Sequence, residues 1–387
     1  MGESHRIARA AFVSALVFAL IAAGWSIYVL AVGGSWWGPL HAFLAGTILL
    51  AISGASQMFT ITWSSTVPPS RTQVATQRWL LIAGVGSVLV GVTFGIPALI
   101  WVGGTGAVAG VVLLGSMILA SVRRSLLRRF DLSARFYLAA FAAGAVGITL
   151  GTLMGAGAVG GSLPNVRLVH VHLNLVGLVG LTIIGTIPTL LPTTAYSRTV
   201  SGREAVIAWW AALAGTAAIT LGLWVPELVG AGTVSIAVAG ALILAGILRR
   251  LWDKGRHKLT FLQITMGTVW LIGWSLIDGV RVVIGDTTTH FSGWTGAVVL
   301  AGAGQVLAGS LAYLVPVLKG PPFEANRKLL EERTWLPLIA LNAGGISLGA
   351  GFTAASVILS SVWAADFAIR LARVLRGRSE ADGPADD

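Results

Sequence analysis

The sequence predicts an all-α integral membrane protein, because its composition, its long apolar segments and the placement of its basic residues all favour that fold class. Hydrophobic residues make up 55% of the 387 residues, charged residues only 11%, and the mean hydropathy is +0.84. Soluble domains carry about 25% charged residues, so 26 basic and 15 acidic side chains are too few to cover a water-soluble surface of this size. The 50 glycines are typical of close-packed transmembrane helices, in which small residues let backbones approach each other.

Polar, glycine and proline breaks divide the chain into about twelve segments that could cross a bilayer. A spanning helix needs about 20 mostly apolar residues, and the first apolar run continues well beyond the ~7–15 residues of a secretory signal's core. We therefore treat 1–376 as a single polytopic membrane domain and 377–387 as a disordered acidic tail. The predicted helices are 7–32, 38–62, 78–99, 101–122, 134–157, 168–193, 204–224, 227–248, 260–284, 293–317, 334–350 and 352–371.

The basic residues predict how these helices are oriented. Lys and Arg concentrate in cytoplasmic loops of membrane proteins. If twelve helices alternate and both termini are cytoplasmic, every Lys and Arg except Arg167 and Arg281 falls on the cytoplasmic side. The net charge of +11 is thus a membrane-topology signal, and we expect no nucleic-acid partner. The predicted partner of the apolar surface is the lipid bilayer, and the predicted location is the plasma membrane.

Three helices, each four apart, share a pattern of glycines and prolines. The second helix carries Gly46 and Gly54 after His41, and the sixth carries Gly177, Gly180, Gly185 and Pro192 after His172. The tenth carries Gly304, Gly309 and Pro316 at the matching distances from Gly296. Such a repeat predicts three four-helix units in a pseudo-threefold arrangement, although chance matching among so many glycines is the alternative.

Three of the six histidines lie at one predicted depth in the membrane. His41 lies about one turn below the outer surface in the second helix, and His170 and His172 lie at the outer end of the sixth. The ninth helix brings Asp278 and Arg281 to its outer third. Ionisable groups inside a bilayer are costly and by default mark function. Because the chain has no cysteine, a metal or cofactor would need ligands of other types.

The spacing of His170 and His172 predicts two different surroundings for the two rings. Positions two apart on an α-helix are separated by about 200°, so the rings leave opposite faces and could serve two sites. His41 can meet one of them across a helix–helix interface, which would give a bis-imidazole pair suited to haem iron. Arg167 and Arg281 would then lie at the outer rim, where haem propionates could emerge.

Each of these residues also has a simpler interpretation. His41 could be a hydrogen-bonding group between helices, Asp278 and Arg281 could neutralise each other, and Arg167 could be an interfacial anchor. His290 is either a loop residue or a supporting ligand. Met154 is either an axial or copper ligand or a residue that fills space.

Two segments carry a family resemblance. HAFLAG at 41–46 and HVHLNLVGLVGLTIIGTIPTLLP at 170–192 resemble the haem-ligating helices of the haem-copper oxidase catalytic subunit. With QVLAGSLAYLVPVLKG at 305–320, they are similar to twelve-helix oxidase-like membrane proteins of actinobacteria, which occur alone or fused ahead of copper nitrite reductase or multicopper oxidase modules. The NnrS family of nitric-oxide-response proteins is a more distant likeness. The resemblance implies haem b held by His41 and His172, and a second haem or copper held by His170.

The chain also departs from the oxidase pattern. The His-x-His motif lies on the sixth predicted helix rather than the tenth, and the sequence has neither an adjacent His-His pair nor a His-x-x-x-Tyr motif. A three-histidine copper centre is therefore not expected, and neither is a proton-pumping terminal oxidase.

Together these features predict a b-type haem protein that acts as an oxidoreductase component. Its expected role is membrane electron transfer between quinol and a copper or haem redox protein on the outer face, or nitric-oxide- or copper-linked respiration there. One alternative is a haem- or copper-handling or nitric-oxide-resistance protein without turnover. Another is a transporter.

Overall fold

The chain forms a bundle of long apolar α-helices, as predicted. We analysed a computed structural model that describes residues 2–125, 130–197, 203–288, 292–331 and 335–376. Within these ranges the regular structure is helical, with no strand. The long helices are α1 Glu3–Val32, α2 Trp37–Ser64, α3 Arg71–Thr93, α4 Pro97–Arg123, α5 Asp131–Gly155, α6 Gly160–Thr194, α7 Arg203–Leu221, α8 Glu227–Gly255, α9 Leu259–Val283, α10 Gly293–Lys319, α11 Trp335–Gly349 and α12 Thr353–Arg376.

Eleven of these helices in the described ranges are long and apolar enough to cross a membrane. The exception is α11, whose 15 residues are apolar but shorter than a usual span. A further short helix, Phe323–Glu331, separates α10 from α11. The protein is thus an all-α, multi-pass membrane protein. The predicted acidic tail, 377–387, lies outside the described residues.

Several predicted helix bounds were wrong, and for the third helix local capping explains the start. The predicted third helix is 78–99, whereas α3 runs from Arg71 to Thr93. Helix α6 also begins eight residues before its predicted start at 168, and α8 ends seven residues after its predicted end at 248. The side chain of Ser70 accepts a hydrogen bond from the backbone of Gln73, and the Gln73 side chain accepts one from the backbone of Ser70. This capping box starts the helix before its apolar run begins. Pro97 occupies the first turn of α4, a favoured position for proline.

Within the polytopic segment, the described helices cluster into two compact units. The first comprises Met1–Thr186, Arg203–Gly240 and Ser275–Thr287. The second comprises Ile187–Gly202, Ala241–Trp274 and Thr288–Asp387. The histidine pair described below belongs wholly to the first unit.

The glycine repeat corresponds to a repeated contact between neighbouring helices. Gly54, Gly185 and Gly309 occupy equivalent positions in the repeat, and each packs against the helix that precedes its own. A Cβ atom at Gly54 would lie 2.6 Å from that of Ala11 in α1, and one at Gly185 would lie 2.6 Å from that of Phe136 in α5. A Cβ atom at Gly309 would lie 2.9 Å from side-chain atoms of α9. The repeat therefore preserves positions at which only glycine permits this approach.

The same three helices also share a rarer feature, a π-helical segment near the start of the repeat. The segments are Ala42–Ile48 in α2, Leu173–Gly180 in α6 and Val298–Gly304 in α10. The first two begin immediately after His41 and His172, and the third begins two residues after Gly296. Because π-helical segments are uncommon and frequently occur at functional sites, their recurrence at matching positions is evidence that the sequence repeat is real.

Candidate functional site

Two histidine rings face each other between α2 and α6. The ring centroids of His41 and His170 are 6.4 Å apart, and the ring planes differ by 16°. Both side chains are half-buried. The indole of Trp37, one turn before His41, stacks on the His41 ring with centroids 4.3 Å apart. The helices that carry the pair are largely buried within the protein. Of the most apolar 18-residue stretch of each helix, 78% of the residues are buried in α2 and 94% in α6, against 22% in α1.

Both rings are held by the same kind of hydrogen bond. His41 Nδ1 lies 2.8 Å from the backbone oxygen of Trp37, and His170 Nδ1 lies 2.7 Å from the backbone oxygen of Gly147. A carbonyl oxygen only accepts hydrogen bonds, so Nδ1 is the donor in each ring. In a neutral imidazole the proton is then on Nδ1 and the lone pair on Nε2. Metal-binding histidines usually have this arrangement, with one nitrogen anchored and the other available.

Helix α5 makes room for His170 through two glycines one turn apart. A Cβ atom at Gly151 would lie 2.5 Å from His170 Cε1, and a Cβ atom at Gly147 would lie 2.5 Å from Asn174 Nδ2. Both distances are too short for a real contact, so any side chain at these positions would displace its neighbour. Asn174 donates from Nδ2 to the backbone oxygen of His170 at 2.8 Å. The imidazole and the amide therefore occupy space that the two glycines leave open.

His172, two residues further along α6, has different surroundings. Its Nδ1 lies 2.8 Å from the backbone oxygen of Leu168, and its Nε2 lies 2.7 Å from Oδ2 of Asp278 in α9. The side chains of His172 and Asp278 are 0% and 2% exposed. Both ring nitrogens are thus engaged in hydrogen bonds. The two rings of the His-x-His motif leave opposite faces of α6, as the spacing predicts.

The partners of these residues differ from two expectations. Helical spacing left open which ring His41 meets, and the family resemblance implied His172, whereas His41 faces His170 because α6 turns that side toward α2 and α5. The sequence analysis also weighed Asp278 and Arg281 as a neutralising pair. Asp278 instead bonds His172, and Arg281 forms an ion pair with Asp286, with Nη1 and Oδ2 3.9 Å apart.

Of the remaining predicted site residues, Arg167 lies on α6, Met154 on α5 and Arg281 on α9, and one falls outside the described chain. Arg167 is exposed and lies one turn before His170 on α6. The side chain of Arg281 is 55% exposed. Met154 is half-buried and lies three residues beyond Gly151 on α5. His290 lies outside the described residues.

The donor set at His41 and His170 fits a metal with two imidazole ligands. A metal–imidazole bond is about 2.0–2.1 Å long, so two such bonds and two ring radii together span roughly the observed 6.4 Å between centroids. In the described ranges no group of three or more His, Asp and Glu side chains has a metal-binding arrangement.

Several residues that build this site were not identified from the sequence. Trp37 supplies a carbonyl acceptor and a stacking ring, Gly147 and Gly151 supply space and an acceptor, and Asn174 fills the position beside His170. The spacing of Gly147 and Gly151 was a usable signal, because glycines one turn apart often face a bulky neighbour. The acceptor roles of the backbone carbonyls could not be predicted from the sequence, because every residue has a backbone carbonyl.

Comparison with known proteins adds no assignment. No protein-family model matches the chain, and no curated protein sequence matches it either.

Proposed function

We propose that this chain is an integral membrane b-type haem protein in which His41 and His170 would hold the haem iron through their imidazoles. The observation that carries the proposal is the geometry of that pair. The rings are nearly parallel, their centroids are 6.4 Å apart, and a backbone carbonyl accepts from Nδ1 of each. The resemblance of 41–46 and 170–192 to haem-ligating helices supports the same chemistry.

In this proposal the protein residues orient two ligands and limit access to them. The bond from Nδ1 of each ring to a carbonyl oxygen fixes the ring and makes its Nε2 more basic. Trp37 covers one face of His41, and the glycines of α5 define the position of His170. Arg167 and Arg281 are proposed to bind the propionates, because both are basic and substantially exposed. A bound haem would supply reversible one-electron chemistry.

The proposed role is membrane electron transfer, with the chain as an oxidoreductase component of the plasma membrane. Quinol is the proposed donor, and a copper or haem redox protein at the outer face is the proposed acceptor. Asp278 is proposed to act as a supporting residue that holds His172 and hence the register of α6. His172 is not among the proposed ligands, because both of its nitrogens are already engaged.

Copper binding is the second candidate. Imidazole suits copper as well as iron, and a pair of open Nε2 atoms could hold a copper ion for handling or delivery without turnover. The same half-buried rings would then be transient ligands.

The test is an optical spectrum of the purified protein, oxidised and dithionite-reduced, with iron and copper measured on the same sample. Wild type should show sharp reduced α and Soret bands with close to one iron per chain. His41→Ala and His170→Ala should each lose these bands. His172→Gln is the comparison variant, because it removes the other imidazole of the motif while the glutamine amide can still donate a hydrogen bond to Asp278.

The outcomes separate the candidates. Loss of the bands in His172→Gln with retention in His170→Ala would overturn our assignment in favour of the pairing of His41 with His172. Unchanged bands in both His41→Ala and His170→Ala would remove this pair as the haem site. A protein from haem-sufficient cells with copper but no iron would favour the second candidate.

A further inference from the structure

A groove on the surface of the first unit lies between α3 and α4. Its volume is about 780 Å³, and twelve residues of the two helices line it. On α3 the lining recurs every three to four residues from Arg71 to Ser87, so the groove follows one face of that helix for about 24 Å. This is longer than half the ~30 Å thickness of a bilayer's hydrocarbon core.

The floor of the groove is made by two helix backbones in contact. A Cβ atom at Gly84 would lie 2.6 Å from the backbone nitrogen of Ala107, and one at Gly103 would lie 2.6 Å from the backbone oxygen of Gly84. The walls are formed by bulky side chains that project outward. Trp79 is 60% exposed and Val102 is 68% exposed. Small residues below large ones make a narrow trough rather than a flat helix surface.

The polarity of the groove changes along its length. Arg71, Thr72 and Thr76 line the end at which α3 begins, whereas Leu80, Ala83 and Val102 line the middle and far end. The Arg71 side chain is 76% exposed, with its Nε 3.3 Å from Glu3 Oε1. A guanidinium has five N–H donors, so this single contact leaves others for a second anion.

Two further features make this end suited to a phosphate. Arg71 is the first residue of α3, where the helix dipole places partial positive charge and favours anions. Trp79 lies two turns further along α3, and Trp is enriched where apolar chains meet the polar interface of a membrane. One end of the groove is therefore cationic, and the rest, apart from Ser87, is apolar and faces outward.

We propose that this groove binds one anionic phospholipid, with an acyl chain against Gly84 and Ala83 and the phosphate at Arg71. The charge at one end and the apolar trough beyond it match the two parts of such a lipid. A transmembrane helix of a partner would match the trough but not the single cationic end. The proposal is independent of the histidine pair, so failure of either leaves the other intact.

The experiment is native mass spectrometry of the delipidated full-length protein, titrated separately with palmitoyl-oleoyl phosphatidylglycerol and phosphatidylcholine. Wild type should bind the first phosphatidylglycerol about five-fold more tightly than phosphatidylcholine, because one basic side chain near a membrane surface contributes about that much. Arg71→Gln should lower phosphatidylglycerol binding to the phosphatidylcholine level. Ala83→Phe, which fills the trough, should weaken the binding of both lipids.

Matched controls keep the result specific. Arg9→Gln removes an exposed charge that does not line the groove, and Val90→Phe adds a ring on an exposed part of α3 outside it. Both should bind lipid as wild type does. Equal binding of the two lipids by wild type, or an unchanged preference in Arg71→Gln, would overturn the proposal. So would a photo-crosslinker at Val102 that captures another protein chain instead of lipid in intact membranes.

Discussion

The Nε2 atom of His172 lies 2.7 Å from Oδ2 of Asp278, and the two side chains are 0% and 2% exposed. This hydrogen bond joins α6 to α9 inside an apolar bundle. Charged groups in such surroundings are tolerated when they are paired and hydrogen-bonded. The residue after Asp278 lies where α8 packs closely on α9, since a Cβ atom at Gly230 of α8 would lie 2.4 Å from the backbone oxygen of Gly279.

The pair should behave as a coupled unit in stability measurements. Asp278→Leu is expected to destabilise the protein by about 1–3 kcal/mol, because it removes the carboxylate that hydrogen-bonds a buried imidazole nitrogen. Adding His172→Leu should recover much of that loss, since removing both polar groups also removes both desolvation costs. Unfolding in detergent, followed by tryptophan fluorescence, measures all three variants. Additive losses in the double variant would contradict the coupling.

Gly151 should control the proposed haem site without touching a bound group. In Gly151→Ala the new Cβ atom would lie 2.5 Å from His170 Cε1, so the ring must move. Disturbing the support of a metal ligand typically costs 10–100-fold in affinity, and we expect haem retention to fall accordingly.

The control for Gly151→Ala is Gly180→Ala on α6, where the added Cβ atom finds its nearest neighbour at 3.5 Å. Iron content per chain, measured after purification, distinguishes the two variants. Equal iron in Gly151→Ala and wild type would show that the position of His170 is not critical.

A polar cluster outside the membrane-spanning segments should make stability depend on pH. The Tyr196 hydroxyl donates to Glu324 Oε1 at 2.7 Å, and Lys258 Nζ lies 3.6 Å from the centroid of the Tyr196 ring. Partial desolvation, together with this hydrogen bond, raises the pKa of Tyr196 to about 12. The same bond, with help from Arg327, lowers the pKa of Glu324 below its ordinary value of 4.5.

The sign of the pH effect follows from the lowered pKa of Glu324. The stabilisation of the folded state by ionised Glu324 is fully present above pH 4.5. It is lost as the pH falls through the lowered pKa that Glu324 has in the folded protein. Tyr196→Phe should therefore be less stable than wild type at pH 7, by no more than about 1 kcal/mol because the pair is exposed. The difference in stability between Tyr196→Phe and wild type should disappear as the pH falls below 4.5. Unfolding midpoints between pH 3.5 and 7 test this, and a constant difference would refute it.

The absence of native cysteine makes the predicted orientation directly testable. A single cysteine at Gly161, an exposed position with open space around its Cα, should react with an impermeant maleimide in intact cells. A cysteine added after Asp387 should react only after the membrane is permeabilised. The basic loops predict this orientation. Labelling of the C-terminal cysteine in intact cells would contradict the predicted cytoplasmic C-terminus.

Much of the helix order could be predicted because apolar length alone specifies a spanning helix. Even the narrow break between the last two helices was predictable from Gly349, Ala350 and Gly351. Helix α11 ends at Gly349, and Gly351 adopts a φ of +86°, which favours glycine. The start of α3 was missed because Ser70 and Gln73 cap it before the apolar run begins.

The sequence by itself determined that this is a multi-pass α-helical membrane protein. It also determined that His41, His170 and His172 are ionisable residues within predicted membrane-spanning helices, and that the rings of His170 and His172 leave opposite faces of their helix. Only the tertiary structure decided that His41 faces His170 and that His172 bonds Asp278. The physical reason is that helical periodicity relates residues within one helix but not the rotation of one helix against another. That rotation is set by close contacts, here the glycines of α5, which leave space for one of the two rings.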